Sequence, residues 1–567
     1  MDVSEMQRKL SQWATDDPTK HFVDLYSLLC NELWLQVAVN ETLRNAGSET
    51  AGIDNVTKSN LLGDLDGYIT RLRESLKAKT YEPQPVRRVY IPKPGSEKKR
   101  PLGIPTLLDR IVQEALRMIL EPIWEADFSV YSYGFRPNRS TYDASIYLGK
   151  RLIGSSGASY QWVIEGDIAS YFDTIPHRRL MKAVKRRVAD KDIRELLWKF
   201  LRAGVMYRGE VQETITGTPQ GGVVSPLLAN IYLHELDRYM ESNYLNLSAE
   251  ARKRRRLKGK SNYLYTRYAD DFVVLCNGTK AQAHEMKEEL KHVLDQMGLK
   301  LSEEKTKVTH ITEGFIFLGY GFIRGTGGNG KMVPKVFIPQ KAIKRYRERI
   351  KRILAPNTTK DATIAKIQAM NNVTRGWCNY YRCTSSPSDT FNMFTYELFC
   401  ELQHWLAKKY QISKTKVRLR YGQPQEGYTT LGTNRVTLTL PSTFKARKFL
   451  AKRWHNPYTE KEAILREKLL VYDSLWTGYL DDREGWSDIR EEVIRLKGTI
   501  CALNLPDICE SNGRPLHPSE VEIDHKTPRA RFKEPTEADR MKHLQPVCTS
   551  CHRAKTKIDL KVLSRMR

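Results

Sequence analysis

The stretch YTRYADDFVVLC, residues 265–276, sets two adjacent carboxylates, Asp270 and Asp271, between runs of strand-forming apolar and aromatic residues. Aspartate is disfavoured inside strands, and neighbouring like charges repel. Either cations compensate the pair or it sits in a solvated turn. A second acidic strand, VIEGDIASYFD, lies earlier in the chain, with Asp167 following the apolar run that contains Val163 and Ile164. Strands present alternate residues to one face. If this one lies beside a hairpin turning at Ala269–Asp270, then Asp167, Asp270 and Asp271 converge. Such a cluster is untenable without cations and suits two Mg²⁺ ions. Paired metals can activate a 3′-hydroxyl and stabilise departing pyrophosphate in an in-line displacement.

The chain has 567 residues, too many for one ordinary core, so three or more domains are expected. Lysine and arginine outnumber aspartate and glutamate by 93 to 66, for a formal charge of +27. The excess favours a polyanionic partner, whose neutralised phosphates release counterions. Charge alone leaves a ribosome-like passenger or a membrane-surface binder as alternatives. No run approaches the ~20 apolar residues of a membrane span. The first residues carry Asp2, Glu5, Asp16 and Asp17, unlike a signal or transit peptide. The expectation is a cytoplasmic nucleic-acid protein, associated with the nucleoid through a DNA target and with no membrane partner.

Helical spacing of Leu65, Tyr68, Ile69, Leu72 and Leu76 predicts an early amphipathic helix. Met286, Leu290, Val293, Leu294 and Met297 predict another, stopped by Gly298. In KAIKRYRERIKRIL the apolar face is Ile343, Tyr346, Ile350, Ile353 and Leu354, and the remainder is almost wholly basic. A helix along a nucleic-acid backbone fits that pattern and the total charge. ARKRRRLKGK, residues 251–260, has seven basic residues in ten. It reads as a flexible insertion, either touching RNA or solvated.

Seven ordered blocks give the acidic strands a context: RRVYIPKPGSEKKRPLGIPTLLDRIVQEAL, YGFRPNRST, GDIASYFDTIPH, GTPQGGVVSPLLANIYLHELD, RYADDF, LSEEKTKVTH and FLGYGF. Together they resemble the reverse-transcriptase blocks of group II intron-encoded proteins, nearly continuously from about residue 40 to 330. By that resemblance Asp167, Asp270 and Asp271 are metal ligands. Phe172 matches the aromatic that stacks under the sugar and excludes a 2′-hydroxyl; the bland alternative is a core ring. Lys93 and Arg100 match the basic pair that grips the triphosphate of the incoming dNTP. Gln220 matches the residue beside the nucleotide sugar, with two glycines after it that permit close backbone approach. Lys305 is either a proton donor to pyrophosphate or a surface lysine.

NNVTRGWCNYYR, residues 371–382, looks like the maturase region of the same proteins. Arg375, Trp377, Tyr380, Tyr381 and Arg382 combine stacking surfaces with phosphate-binding groups, as RNA contacts do. Aromatics at this spacing also make ordinary helix cores. The family likeness implies that the thumb and this region bind the intron RNA as a ribonucleoprotein and assist its splicing.

Four of nine cysteines, Cys501, Cys509, Cys548 and Cys551, fall near the end, where metal ligation is favoured over disulfides. VEIDHKTP and KHLQPVCTSCHRAKT look like the halves of an HNH endonuclease. In that ββα-metal arrangement His525 takes a proton from water, while Asp524 and His552 hold a divalent metal on the scissile phosphate. His543 stands where the family has asparagine, positioned to orient His525 or to ligate metal. The upstream cysteines are separated by seven residues rather than two, and the four cysteines together suit a structural zinc.

The expected fold is multidomain α+β. Residues 1–83 form an N-terminal extension and the start of fingers, 84–333 right-hand fingers and palm, and 334–420 a helical thumb and maturase domain. A DNA-binding region at 421–490 and a ββα-metal HNH domain at 491–567 follow. The expected function joins RNA-directed DNA polymerisation, maturation of the intron RNA and nicking of double-stranded target DNA, that is, target-primed reverse transcription. The rivals are a reverse transcriptase without intron dependence and a splicing cofactor with decayed sites.

Overall fold

Alternation in the two acidic strands builds a sheet that is covered on both faces. In the computed structural model, the described residues are 2–567 apart from 93–98, 153–159, 208–209, 213–215, 219–220, 328–329, 331, 426, 448–453, 462, 464–491, 507, 517–520, 528–540, 549, 553 and 556–567. Lys93, Gln220 and half of the expected DNA-binding region lie outside them. The chain divides into two units, 1–451 and 452–567.

The first unit opens with helices, among them Leu65–Lys77, which packs its predicted apolar face inward. Strands β1 (Val86–Pro92) and β2 (Lys99–Ile104) pair antiparallel. β4 (Val205–Tyr207) joins β1 in parallel, and β5 (Glu210–Gln212) closes a sheet of order β2-β1-β4-β5. The central sheet has order β6-β7-β3-β8, from β3 (Trp162–Asp167), β6 (Tyr263–Tyr268), β7 (Asp271–Cys276) and β8 (Lys307–His310), all neighbours antiparallel.

On one face of this sheet Ile164, Tyr265, Phe272 and Val274 join a core with the helices Leu107–Glu125, Ser225–Met240 and Lys280–Gln296. On the other, Val163, Leu264, Val273 and Leu275 join a second core. Burial of both faces is why these strands carry continuous apolar runs. The second core is shared with the three-stranded sheet of β9 (Phe315–Phe317), β10 (Tyr320–Thr326) and β11 (Met332–Phe337). Helices Gln340–Ile353, Thr363–Tyr381 and Pro387–Tyr410 complete it.

Three details depart from the sequence reading. Residues 249–257 form a helix instead of a flexible insertion, with Ser248 accepting from the backbone N–H of Ala251. β11 straddles the boundary expected at 333. The hairpin of β12 (Gly422–Gln425) and β13 (Tyr428–Leu431) begins the expected DNA-binding region, yet Leu431, Leu438, Leu440 and Phe444 pack into the second core beside the thumb helices.

In the second unit β14 (Val521–His525) pairs antiparallel with β15 (Leu544–Cys548), and residues 550–552 and 554–555 are helical. Among the described residues, no helix is long and apolar enough to cross a membrane.

Gly166 shows how tightly the central sheet closes: a Cβ there would lie 2.1 Å from the Phe272 ring, itself fully buried. Gly166→Ala is expected to cost about 1–3 kcal/mol through overpacking. Urea unfolding should show a lower midpoint with an unchanged slope.

Candidate active site and metal clusters

The register of β3 on β7 sets Asp167 opposite Asp271, and β6 reaches them through Tyr268, also paired with Asp271. Ala269 and Asp270 make the turn. Ala269 has φ +56°, and a Cβ on Gly134 would fall 2.3 Å from its backbone nitrogen, so only glycine permits that approach.

The turn is held from beneath by Arg267, whose side chain is wholly buried. Its Nε donates to Asp237 Oδ1 at 2.7 Å, and its Nη1 donates to Asn230 Oδ1 at 3.0 Å and to the Ala269 carbonyl at 2.9 Å. Tyr265 donates its hydroxyl to the same Asp237 oxygen at 2.9 Å. The Arg267 backbone also accepts from Tyr133 and donates to the Tyr131 carbonyl, each at 2.9 Å. Arg267, Asp237 and Asn230 escaped the sequence reading, although each lies inside a quoted block.

Above this support the carboxylates interact strongly. Burial, then repulsion from Asp270 and Asp167, pushes the Asp271 carboxyl up to about 7, and in its protonated form it bonds Asp167. Burial also raises Asp270, with Asp167 adding repulsion while Lys305 and Arg100 oppose it. Lys305 donates to Asp167 Oδ2 at 2.7 Å. Negative charge exceeds local compensation, and oxygen-only donors suit hard divalent cations, so the residues fit the metals that reverse transcriptases use. As placed, the three carboxylates adjoin without closing fully. Among the described residues, the four tail cysteines are the group of three or more such ligands whose donor atoms lie within 4.8 Å of one another.

Phe172 follows Ser170, itself left-handed with φ +48°, and its half-buried ring meets Phe135 edge-on at 6.2 Å. It lines a cleft of about 200 Å³ with Arg88, Pro101, Gly103 and Thr218. The Phe172 carbonyl accepts from Thr218 N–H at 2.7 Å, tying the ring's backbone to the segment that leads to Gln220. The buried His177 ring donates to the Gly217 carbonyl at 2.6 Å and clamps the same segment. Only its place in the block GDIASYFDTIPH signalled it. Gly221, with φ +118°, approaches the Gly103 carbonyl of β2 so closely that a Cβ would clash with it. Arg100 is exposed on β2.

Packing engages the maturase-region rings. Trp377 lies against Tyr346 at 4.8 Å and Phe394 at 5.1 Å. Tyr380 stacks on Tyr320 at 4.7 Å and donates to the Leu318 carbonyl, while Tyr381 donates to Gly319. These rings join the thumb to β9 and β10 and pack on the second core, with Trp377 and Tyr380 half-buried. Arg375 is exposed, and Arg382 donates to the Lys445 carbonyl at 3.3 Å.

In the second unit Asp524 is buried at the end of β14, accepts from Gln545 at 2.9 Å and pairs with Lys555 at 3.3 Å. His552 Nε2 is 3.7 Å from Asp524, and its Nδ1 meets Glu522, a partner the sequence reading missed. His525 is half-buried beside Asp524, and Lys555 donates to its carbonyl at 2.7 Å. His543 lies in the turn before β15, where its carbonyl accepts from Lys526 N–H. Asp524 and His552 thus approach each other, and the backbone bond from Lys526 fixes the position of His543. Cys501, Cys509, Cys548 and Cys551 converge, with Cys509 and Cys548 sulfurs 3.9 Å apart, and this soft tetrad can bind zinc.

Residues 91–322 match the family described as Reverse transcriptase (RNA-dependent DNA polymerase). Residues 343–422 match Group II intron, maturase-specific domain. Protein YkfC of Escherichia coli (strain K12) is 44% identical over 364 residues, 61% of this chain and 95% of that protein. Group II intron-encoded protein LtrA of Lactococcus lactis subsp. cremoris is 32% identical over 478 residues, 72% of this chain and 78% of LtrA. Putative COX1/OXI3 intron 2 protein of Saccharomyces cerevisiae is 28% identical over 477 residues, 70% of this chain and 53% of that one.

Truncating one member of a buried ion pair strands the other, at about 3–5 kcal/mol. Arg267→Ala should therefore lower stability by that amount and abolish primer extension. The double variant Arg267→Met/Asp237→Leu should recover much of the stability, measured by urea unfolding, but little extension, because the Ala269 carbonyl has lost its donor.

Proposed function

This chain belongs to the group II intron-encoded reverse transcriptase/maturase family, and from that premise we propose how its residues divide the work. The family makes it an RNA-directed DNA polymerase whose maturase domain binds intron RNA. The observation that carries the polymerase assignment is the pairing of Asp167 with Asp271 beside the Asp270 turn.

Asp167, Asp270 and Asp271 are the ligands for two Mg²⁺ ions, which when bound activate the primer 3′-hydroxyl and neutralise departing pyrophosphate. Arg100 and Lys93 hold the triphosphate of the incoming dNTP, Phe172 presses on its sugar, and Gln220 lies beside it. Lys305 leaves Asp167 as the carboxylates gather, its ammonium remaining within reach of the leaving group. Arg375 and the basic faces of the thumb helices contact RNA phosphates, while Trp377, Tyr380 and Tyr381 hold that surface in shape.

For the second unit we propose an HNH endonuclease that nicks double-stranded target DNA and so supplies a primer for reverse transcription. The ββα order, the Asp524–His552 approach and His525 at the strand end support this reading. His525 takes the proton from water; Asp524 and His552 hold the divalent cation. The cysteine tetrad, as a structural zinc site, fixes the start of the last helix. The part of 421–490 beyond Phe444 reads DNA, and the protein works in the cytoplasm at the nucleoid.

Asp270→Asn removes one ligating charge and should reduce cDNA synthesis on an RNA template to background while RNA binding and splicing persist. Normal extension by this variant would overturn the site. His525→Ala should lose nicking of intact target DNA yet support cDNA synthesis on a pre-nicked target. Undiminished nicking would reject His525 as the base.

A further inference from the structure

The helix Ala249–Leu257 buries none of its residues, yet it is well anchored. Arg252 donates to the Leu245 carbonyl at 2.6 Å, and Arg255 to the Ser261 carbonyl at 2.9 Å while lying over the Tyr244 ring at 5.3 Å. Asn262 in turn donates to the Arg252 carbonyl at 3.1 Å. These contacts take up one side of the helix. The remaining helix surface and the following turn present Lys253, Arg254, Arg256, Lys258 and Lys260, all exposed and none ion-paired with a carboxylate among the described residues.

Such a run is unfavourable by itself. Arg252 and Arg256, like Arg254 and Lys258, are four apart, a spacing at which like charges destabilise a helix. Glu250 is the helix's one acid and is engaged by Ser248 at the N-terminus. The neighbouring surface adds charge of the same sign: Arg151 and Arg256 both act on the Tyr160 phenol, and Lys150 is exposed beside Arg151. Anchoring a self-repelling helix in one orientation costs stability and leaves a fixed array of cations without a paired carboxylate among the described residues.

Its position separates it from the catalytic cleft. The helix precedes the start of β6, whereas Asp270 follows its end. Six residues of strand at about 3.3 Å each place the array roughly 20 Å from the carboxylates. A primer terminus held at Asp270 therefore does not bring its reacting phosphates to this helix.

We propose that the outer face of the Ala249–Leu257 helix, continued by Lys258, Lys260, Lys150 and Arg151, is a docking surface for the phosphate backbone of the structured intron RNA, separate from the template–primer cleft. The identity of the RNA rests on the family reading, which supplies a large folded RNA as the resident polyanion. Exposed cations on one rigid element recognise backbone geometry without reading bases. Leu257, 77% exposed in the middle of the array, offers an apolar contact to a ribose.

The test uses the full chain carrying Lys253→Gln, Arg254→Gln, Arg256→Gln and Lys258→Gln together, which leaves the anchors Arg252 and Arg255 in place. Glutamine preserves helix propensity. Affinity for a folded transcript of the intron surrounding the reading frame should fall about tenfold or more, and the slope of log affinity against log salt should shrink by about 3. Extension of a short DNA primer on a short RNA template should be unchanged. A companion variant, Arg254→Lys with Arg256→Lys, keeps the charge and should bind the transcript like the parent. Unchanged transcript affinity in the quadruple variant would overturn the proposal. So would an equal loss on short duplex DNA, which would make the surface a DNA site, or a parallel loss of primer extension, which would merge it with the cleft. A parent protein that neither extends the primer nor binds the transcript would refute the family-based reading instead.

Discussion

Everything at the polymerase centre depends on one fully buried guanidinium. Arg267 lies in the strand that leads into the turn, and its side chain reaches back under that turn to hold the Ala269 carbonyl. Asp237 and Asn230, both on the Ser225–Met240 helix, fix the guanidinium plane. Strand, helix and the Tyr131–Tyr133 segment thus meet at a single residue. A buried charge pair is no cheap source of stability, since desolvation offsets most of its attraction. What it confers here is position: the turn is stiff before any charge is placed on it.

Stiffness matters because the carboxylates oppose one another. Free side chains would separate and hydrate. Held on the facing ends of β3 and β7, they stay adjacent, with Asp271 open to solvent, and partial burial of the carboxyl together with repulsion from Asp270 and Asp167 raises it to about 7. Lys305 neutralises part of the excess from solvent, on an exposed and flexible stem. Protons and an ammonium are replaceable counter-charges, and divalent cations are stronger ones. The support below and the repulsion above act on the same turn, and an oxygen-only cluster with excess negative charge suits the divalent metals that the family implies.

Much of this was legible in sequence where local pattern governs. Continuous runs of apolar and aromatic residues located the strands around Asp167 and Asp270, and helical spacing located the faces at Leu65–Leu76 and Met286–Met297. Residues whose roles depend on distant partners were not. Nothing near Arg267 announces Asp237, because the pair forms only when helix and sheet pack. Trp377, Tyr380 and Tyr381 carry the same pattern whether they stack on RNA or on Tyr346 and Tyr320, and burial alone separates the two. The helix at 249–257 was masked by its own charge: a like-charged run reads as loop unless its Ser248 cap and its anchors on Leu245 and Ser261 are known. In the tail nothing in the spacing of Asp524 and His552 announces Glu522, because that contact forms only when the helix packs on the hairpin.

The central claim is that Asp167, Asp270 and Asp271 exist to gather divalent cations at the rigid turn. The most direct measurement is anomalous diffraction at the manganese edge from crystals of the protein with RNA template, DNA primer, a non-hydrolysable dNTP and Mn²⁺. The account predicts two manganese peaks bounded by these three carboxylates, with Lys305 released from Asp167 and the Arg267–Ala269 bond intact. Well-ordered nucleotide and primer with no manganese against Asp167 and Asp270, and Lys305 still bound to Asp167, would contradict it.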